Sequence, residues 1–388
     1  VAEHDVDRFL SGLSEKLASR ARHVAVFLGA GASRACGLPD VAGLTEHIKE
    51  ALHAEKLASF EALLEDRNLE QVLSRLRRIE ALIADSSDTV DGLSADEAKE
   101  LDREICRIVI DKLSSRDVDL EPMYSIASWL ARADYHRPVE IFTVNYDVLL
   151  ETALESLQVP YFDGFVGTFR AQFRADLVES AGSVAGSGFD SDSIPSFFIR
   201  LWKLHGSIHW TWVEGKTRKV VRLGEPAPSG ESAAIYPSDA KYDESRRVPF
   251  LVLQDRFRRS LDEPESLTII SGYAFGDEHL NESIFEAARR RPRSEFLAFF
   301  YSGIPSSIAD FATSNPNFQA VTRDEAIIGG FRECWAEPTD CPKEFWDGGL
   351  LLGDFAKLSK FVARSSPAEN EVERRIAEVL AKVVETDA

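Results

Sequence analysis

The chain has 388 residues, of which 44% are hydrophobic and 28% charged, and its formal net charge is -20. That length admits one large domain with an insertion, or a few domains. A chain this acidic lacks the basic face that non-specific nucleic-acid binding needs. No apolar run is long enough to cross a bilayer. The opening VAEHDVDRFLSGLSEKLASR lacks the apolar core and cleavage site of a secretory signal, so a cytoplasmic protein is expected. Cys36, Cys106, Cys334 and Cys341 form no C-x-x-C pair, so neither structural zinc nor a disulfide framework is expected.

In chain order, an amphipathic helix is predicted over Asp5 to Arg22. It leads into a continuous apolar run, Val24 to Leu28, which suits a strand buried on both faces. Gly29-Ala30-Gly31-Ala32-Ser33 follows at once. So little side-chain bulk lets phosphates approach the backbone, and the helix start behind it carries unpaired amides. The turn lacks the third glycine of the usual dinucleotide fingerprint, and no Walker lysine follows. A turn of this kind also serves simply to pack a helix on a sheet.

From Leu44 to about Ala133 the pattern is helical. Asn68 with Gln71, and Ser94 with Glu97, read as capping boxes. They stand ahead of the apolar faces Leu69, Val72, Leu73, Leu76, Ile79 and Leu101, Ile105, Ile108. Strand character returns over Val139 to Thr143 and runs through Asn145-Tyr146-Asp147 into a helix, Val148 to Leu157. Pro160 to Gly167 reads as loop, and the Ser/Gly-rich stretch Ser180 to Ser196 as a mobile loop. A further apolar run, Phe197 to Leu204, ends in Lys203-Leu204-His205-Gly206-Ser207. Trp210 and Trp212 then alternate in a hairpin turning near Glu214-Gly215. A strand over Leu267 to Ser271 opens through Gly272 and Asp277 into a helix, Glu282 to Arg290. Arg289, Arg290, Arg291 and Arg293 read as its solvated cationic end. Strands over Phe296 to Tyr301 and Phe318 to Val321 follow, and a last helix over Glu371 to Val384. Strand ends that repeatedly open helices predict an α/β fold, an open and mostly parallel sheet with helices on both faces and a helical insertion. Ligands in such sheets bind at the carboxyl ends of the strands, where every polar motif above falls.

Three strand ends supply candidate chemistry. A small-residue turn, an amide with a carboxylate, and an imidazole suit cleavage of a glycosidic carbon–nitrogen bond through an oxocarbenium-like sugar. Asn145 can hold a ribose hydroxyl or the attacking water, Asp147 can accept the protons of a nicotinamide carboxamide, and His205 can take a proton. Asn145, Asp147 and Ser33 also have the bland alternative of capping neighbouring helices, and His205 that of an ordinary structural histidine.

The motifs GAGAS-x(3)-GLPD at Gly29 to Asp40, TVNYD at Thr143 to Asp147 and KLHGS at Lys203 to Ser207 resemble the sirtuin family. With GYAFGDEHLN at Gly272 to Asn281, they resemble more closely its bacterial sirtuin-like branch found in antiphage defence systems. The resemblance implies a Rossmann-like, doubly wound NAD-binding domain over residues 1–43 and 136–304, with an inserted helical domain over 44–135. Residues 305–388 are left as an extension that completes the sheet edge or makes an oligomer contact. It implies Asn145 and His205 as catalytic residues. It implies NAD+ contacts from Gly29, Ala30, Gly31, Ala32, Ser33, Pro39, Asp40, Thr143 and Asp147, with Gly272 and Asp277 near the adenosine half. Two departures stand out. The four-cysteine zinc module of sirtuin deacylases has no counterpart here, and Pro39-Asp40 runs into Val41-Ala42 instead of Phe-Arg. The expected activity is therefore NAD+ hydrolysis to nicotinamide and ADP-ribose by a defence effector that depletes NAD+. A homo-oligomer and a HerA-like ATPase or Argonaute-type partner are expected with it. A sirtuin-type deacylase or ADP-ribosyltransferase, and a non-catalytic sensor of NAD or ADP-ribose, are the alternatives.

Overall fold

The computed structural model describes residues 3–65, 67–133, 135–180, 199–213, 219–228 and 248–365. The expected mobile loop beyond Ser180, the hairpin tip at Glu214-Gly215 and the last helix over Glu371 to Val384 lie outside the described residues.

The chain opens with β1 (Glu3–His4) and α1 (Val6–Ala18). This helix is shorter than its apolar pattern suggests. Asp5 accepts from the Arg8 amide and so stands outside it as the N-cap, and Ser19 is extended. Next come β2 (Val24–Leu28), all of it buried, and α2 (Ala30–Arg34). Five helices, α3 (Val41–Ala51), α4 (Ala54–Leu64), α5 (Leu69–Ile83), α6 (Ala95–Leu113) and α7 (Glu121–Arg132), then separate β2 from β3 (Glu140–Thr143). Both expected capping boxes form, Asn68 with Gln71 on α5 and Ser94 with Glu97 on α6.

After β3 come α8 (Leu149–Ser156), β4 (Tyr161–Phe162), β5 (Phe165–Val166), β6 (Arg170–Phe173), α9 (Ala175–Ser180), β7 (Ile199–Lys203), β8 (Trp210–Val213) and β9 (Lys219–Leu223). The remainder comprises α10 (Phe250–Leu261), β10 (Leu267–Ser271), α11 (Glu278–Arg290), β11 (Glu295–Phe299), α12 (Ser306–Ser314), β12 (Phe318–Val321), β13 (Glu325–Ile328), β14 (Phe331–Trp335) and α13 (Phe355–Arg364). Helix α11 begins a turn earlier than its apolar pattern suggests, because the Asp277 carboxylate takes the amides of His279 and Leu280.

The main sheet runs β1-β14-β13-β12-β11-β10-β2-β3-β7-β4. Every pairing from β12 across to β4 is parallel. Strand β2 sits in the middle. Strands β3 and β7 run out on one side of it, and β10, β11 and β12 on the other. This is the doubly wound order, and its direction reverses between β2 and β10, where such sheets leave a crevice at their carboxyl ends. Antiparallel β13 and β14 extend the sheet beyond β12. A second, antiparallel sheet, β5-β6-β9-β8, forms where loop and a single hairpin were expected. Its strands are short and draw their partners from segments some fifty residues apart, which local pattern does not reveal.

Alternate strand residues feed two cores. Val24, Val26, Leu28, Ile141 and Leu201 pack with helices α1, α3 to α8 and α13. Ala25, Phe27, Phe142, Trp202 and Ile270 pack with α10, α11, α12 and the small sheet. The five helices between β2 and β3 thus share one core with the sheet. The arginine cluster is engaged at the protein's own surface. Arg290 pairs with Asp262 and Glu286, Arg293 with Glu265, and Arg289 lies over the Phe311 ring.

Candidate active site

The carboxyl ends of β2, β3, β7 and β10 carry the residues singled out from sequence. In-register pairing of Thr143 with Lys203 sends the segments beyond them out of the same end of the sheet. Thr143 joins β2 to β3: its hydroxyl donates to the Leu28 carbonyl at 3.0 Å and accepts from the Asn145 amide at 3.0 Å.

Asn145 is half-buried and its side chain is fixed by that neighbouring turn. Its Nδ2 donates to the Gly29 carbonyl at 2.9 Å and to the Ser33 hydroxyl at 2.8 Å. Because a carbonyl only accepts, the Gly29 bond sets which end of the amide is nitrogen. Both amide protons are then spent, and Oδ1 is left as an acceptor. Ser33 in turn donates to Asp147 Oδ2 at 2.6 Å, and Asp147 Oδ1 accepts from the Leu149 amide at 3.1 Å. Ser33 and Asp147 are 4% and 6% exposed, so this relay forms the floor of the site. Cys36 lies within the field of Asp147, and burial first, then that charge, push its thiol up to about 12.

Beneath the Asn145 loop sits Lys203, 3% exposed, which donates to the Asp147 carbonyl and pairs with Glu151 at 2.8 Å. The sequence motif contains this lysine, yet its part is set by burial. An ammonium at the end of an apolar strand must find oxygen partners, and it finds them in the candidate catalytic loop. Further out, burial and then the cations Lys203 and Arg222 hold His209 down at about 4. Burial lifts the Asp163 carboxyl to about 6 against the pull of Arg222, 3.3 Å away.

His205 leaves β7 beside this loop. Its ring centroid lies 6.5 Å from that of Tyr146, whose carbonyl accepts from the Ile208 amide. The Nε2 atom of His205 is 3.3 Å from Asp277 Oδ2, on the turn after β10. That turn braces itself. The Tyr273 hydroxyl donates to Asn281 Oδ1 at 2.8 Å, Asn281 Nδ2 donates to the Phe275 carbonyl at 2.8 Å, and burial followed by the Asp277 charge pushes the Tyr273 hydroxyl up.

The glycines have a further reason to be glycines. A Cβ on Gly29 would lie 2.4 Å from the Gly272 oxygen, one on Gly31 2.6 Å from the Gly272 Cα, and one on Gly272 2.5 Å from the Ala32 nitrogen. The Gly31 amide donates to the Gly272 carbonyl at 2.8 Å. The β2 and β10 turns therefore touch backbone to backbone, and Gly272 adopts φ +66, which favours glycine. Pro39 and Asp40 stand apart from the bonded relay: Asp40 caps α3 through the Gly43 amide and pairs with Arg34. Among the described residues no group of three or more His, Cys, Asp or Glu side chains is placed to hold a metal ion. No helix among them is long and apolar enough to cross a membrane.

Residues 139–315 match the family model of the SIR2-like domain. The match supports a sirtuin-like family. It spans Asn145, Asp147, His205, Gly272 and Asp277, while the Gly29–Ser33 turn lies outside it and is joined to it by the Asn145 bonds. No curated protein matches the chain. The chain is also similar to a solved structure from work on the mechanism and regulation of Sir2 enzymes. That similarity has a TM-score of 0.41 at 12% identity, over 95% of this chain and 98% of that one.

Proposed function

We propose that the protein is an NAD+ glycohydrolase, cleaving the bond between nicotinamide and ribose to release nicotinamide and ADP-ribose. The observation that carries this reading is the state of Asn145. Its two amide protons are committed to Gly29 and Ser33, so its Oδ1 is held in place as an acceptor for a ribose hydroxyl or water, on the loop whose Tyr146 ring lies 6.5 Å from the His205 ring. In the reaction the C1′–N bond breaks and its electron pair leaves with nicotinamide. Water adds to C1′ of the oxocarbenium-like ribose, and His205 takes the proton that the water loses. The Gly29–Ser33 turn is the proposed pyrophosphate contact, at the switch point of the sheet. Sirtuin-like motifs are the support for NAD+ as substrate.

The setting proposed with this activity is antiphage defence by NAD+ depletion. Activity would be gated by self-assembly or by a HerA-like ATPase or Argonaute-type partner, and the support is the resemblance of the motifs to that branch. The test is incubation of the purified protein, alone and with such partners, with NAD+, following nicotinamide and ADP-ribose by chromatography. Equal release by the native chain and Asn145→Ala, or no release under any activating condition, would overturn the reading.

A further inference from the structure

We infer that Asp277 is the positioning residue of His205, presenting it to the substrate as a base. The inference rests on the proposed NAD+-cleaving reading of the site and reassigns Asp277 from the adenosine half. The two side chains are 13% and 11% exposed, and Asp277 Oδ2 lies 3.3 Å from His205 Nε2. The carboxylate has no freedom to wander. Its Oδ1 accepts from the His279 amide at 3.0 Å and the Leu280 amide at 3.3 Å, starting the thirteen-residue helix α11. Its own backbone amide is bonded to the Tyr273 hydroxyl, which Asn281 anchors. One oxygen therefore fastens the carboxylate to a helix start, and the other meets the imidazole.

Such a partner does two things. As an acceptor 3.3 Å away it draws the ring proton to Nε2, which leaves Nδ1 as the bare nitrogen available as the base. It also stabilises the imidazolium formed when Nδ1 accepts the proton of the attacking water, while the water oxygen bonds to C1′ and nicotinamide departs with the C1′–N pair. Among the described residues, the ionisable groups around the pair include the hydroxyl of Tyr146, whose ring is 6.5 Å from that of His205, the hydroxyl of Tyr273 on the Asp277 turn, and the carboxylate of Glu70, whose charge reaches Tyr273. The cationic Lys203, two residues before His205, is already paired with Glu151.

The geometry supplies a clean variant. Asn is as good an N-cap as Asp, so Asp277→Asn keeps the start of α11. An amide has only one oxygen, and the helix amides claim it, so its NH2 would face His205 Nε2. That puts a donor where an acceptor stood, drives the proton onto Nδ1 and leaves no base. The experiment compares the native chain, Asp277→Asn and Asp277→Ala by kcat and KM for NAD+ cleavage and by 15N spectra of the His205 ring. For Asp277→Asn we expect an unchanged melting temperature, a kcat lower by about 10² or more, a KM within about threefold, and a switch of the ring from the Nε2–H to the Nδ1–H tautomer. Asp277→Ala loses the cap as well and melts lower. A rise in KM at constant kcat would make Asp277 a substrate contact and overturn the inference, as would an unchanged ring spectrum. Should the native chain release no nicotinamide, the glycohydrolase reading fails, and the ring spectra alone still decide the pairing.

Discussion

The same parallel strands end in two polar clusters, one at each edge of the sheet, and the two differ in what they leave unspent. At the amino ends, Glu140 is 1% exposed and accepts from Arg256 Nε at 2.7 Å, Arg256 Nη2 at 2.6 Å and Trp202 Nε1 at 2.8 Å. His23 lies 3.4 Å away and is itself within 3.0 Å of Ser260. Burial alone would raise this carboxyl, yet Arg256 and then His23 hold it far below the usual carboxylate range. Each of its oxygens has a partner, so the cluster has nothing left to offer a ligand, and its work is to fasten α10 to the sheet. At the carboxyl ends, the relay from Asp147 through Ser33 to Asn145 is just as well bonded at its base. It stops at a half-buried amide with an acceptor to spare and a histidine beside it. Burial of polar groups alone does not mark a site. The mark is a bonded base that ends in an unspent valence.

The largest effect that can break this contrast is on turnover. Asn145→Ala and His205→Ala should each lower nicotinamide release by about 10² or more. Asn145→Ala should also cost roughly 1–3 kcal/mol in denaturant melts, because the Gly29 carbonyl and Ser33 lose their donor. At the opposite edge, Glu140→Gln strands the Arg256 charge and should cost about 3–5 kcal/mol. Turnover per folded molecule should stay at the native level. If turnover falls with it, the two clusters are not independent.

A smaller loss is expected from Gly272→Ala, whose Cβ would meet the Ala32 nitrogen at 2.5 Å from a left-handed backbone. We expect a cost of about 1–3 kcal/mol together with reduced turnover, read by thermal melting and nicotinamide release. Gly276→Ala, with nothing within 4 Å of its Cβ position, serves as the quiet comparison.

The smallest effects are slopes of stability against pH. Between its ordinary 3.8 and about 6, the folded state keeps a proton on Asp163 that the unfolded chain has lost, so this group's contribution falls as pH rises through that interval. His209, lowered from 6.5 to about 4, does the reverse: there the unfolded chain holds the proton, and stability rises with pH. Asp163→Asn should therefore tilt the profile upward across this window and His209→Gln should tilt it downward, as urea melts at successive pH values would show. Tilts of the same sign in both variants would contradict the assignments.

Much of this was legible because it is local. A strand that ends in small residues and opens a helix is written in consecutive positions, as at Val24 to Ser33 and Leu267 to Asp277, and both capping boxes join residues only three positions apart. The amino-edge cluster was not legible. Arg256 stands in a run of charged residues on a helix that the sequence reading did not identify, and its partner Glu140 is over a hundred residues away. Strands β13 and β14 were missed for a related reason: they are four and five residues long, β14 is mostly exposed, and only pairing in the order β12-β13-β14 defines them. Asn145 and His205 were readable as candidates. Ser33 as the link between Asn145 and Asp147, and Asp277 as the partner of His205, needed the fold to bring four strand ends together.

The most direct test of the central claim is a crystal structure of Asn145→Ala soaked with NAD+, in which slow cleavage would preserve the ligand. The account predicts the nicotinamide–ribose bond lying between position 145 and the His205 imidazole, with the pyrophosphate over the Gly29–Ser33 turn. A dinucleotide seated elsewhere, or position 145 and His205 opening into separate cavities, would contradict it.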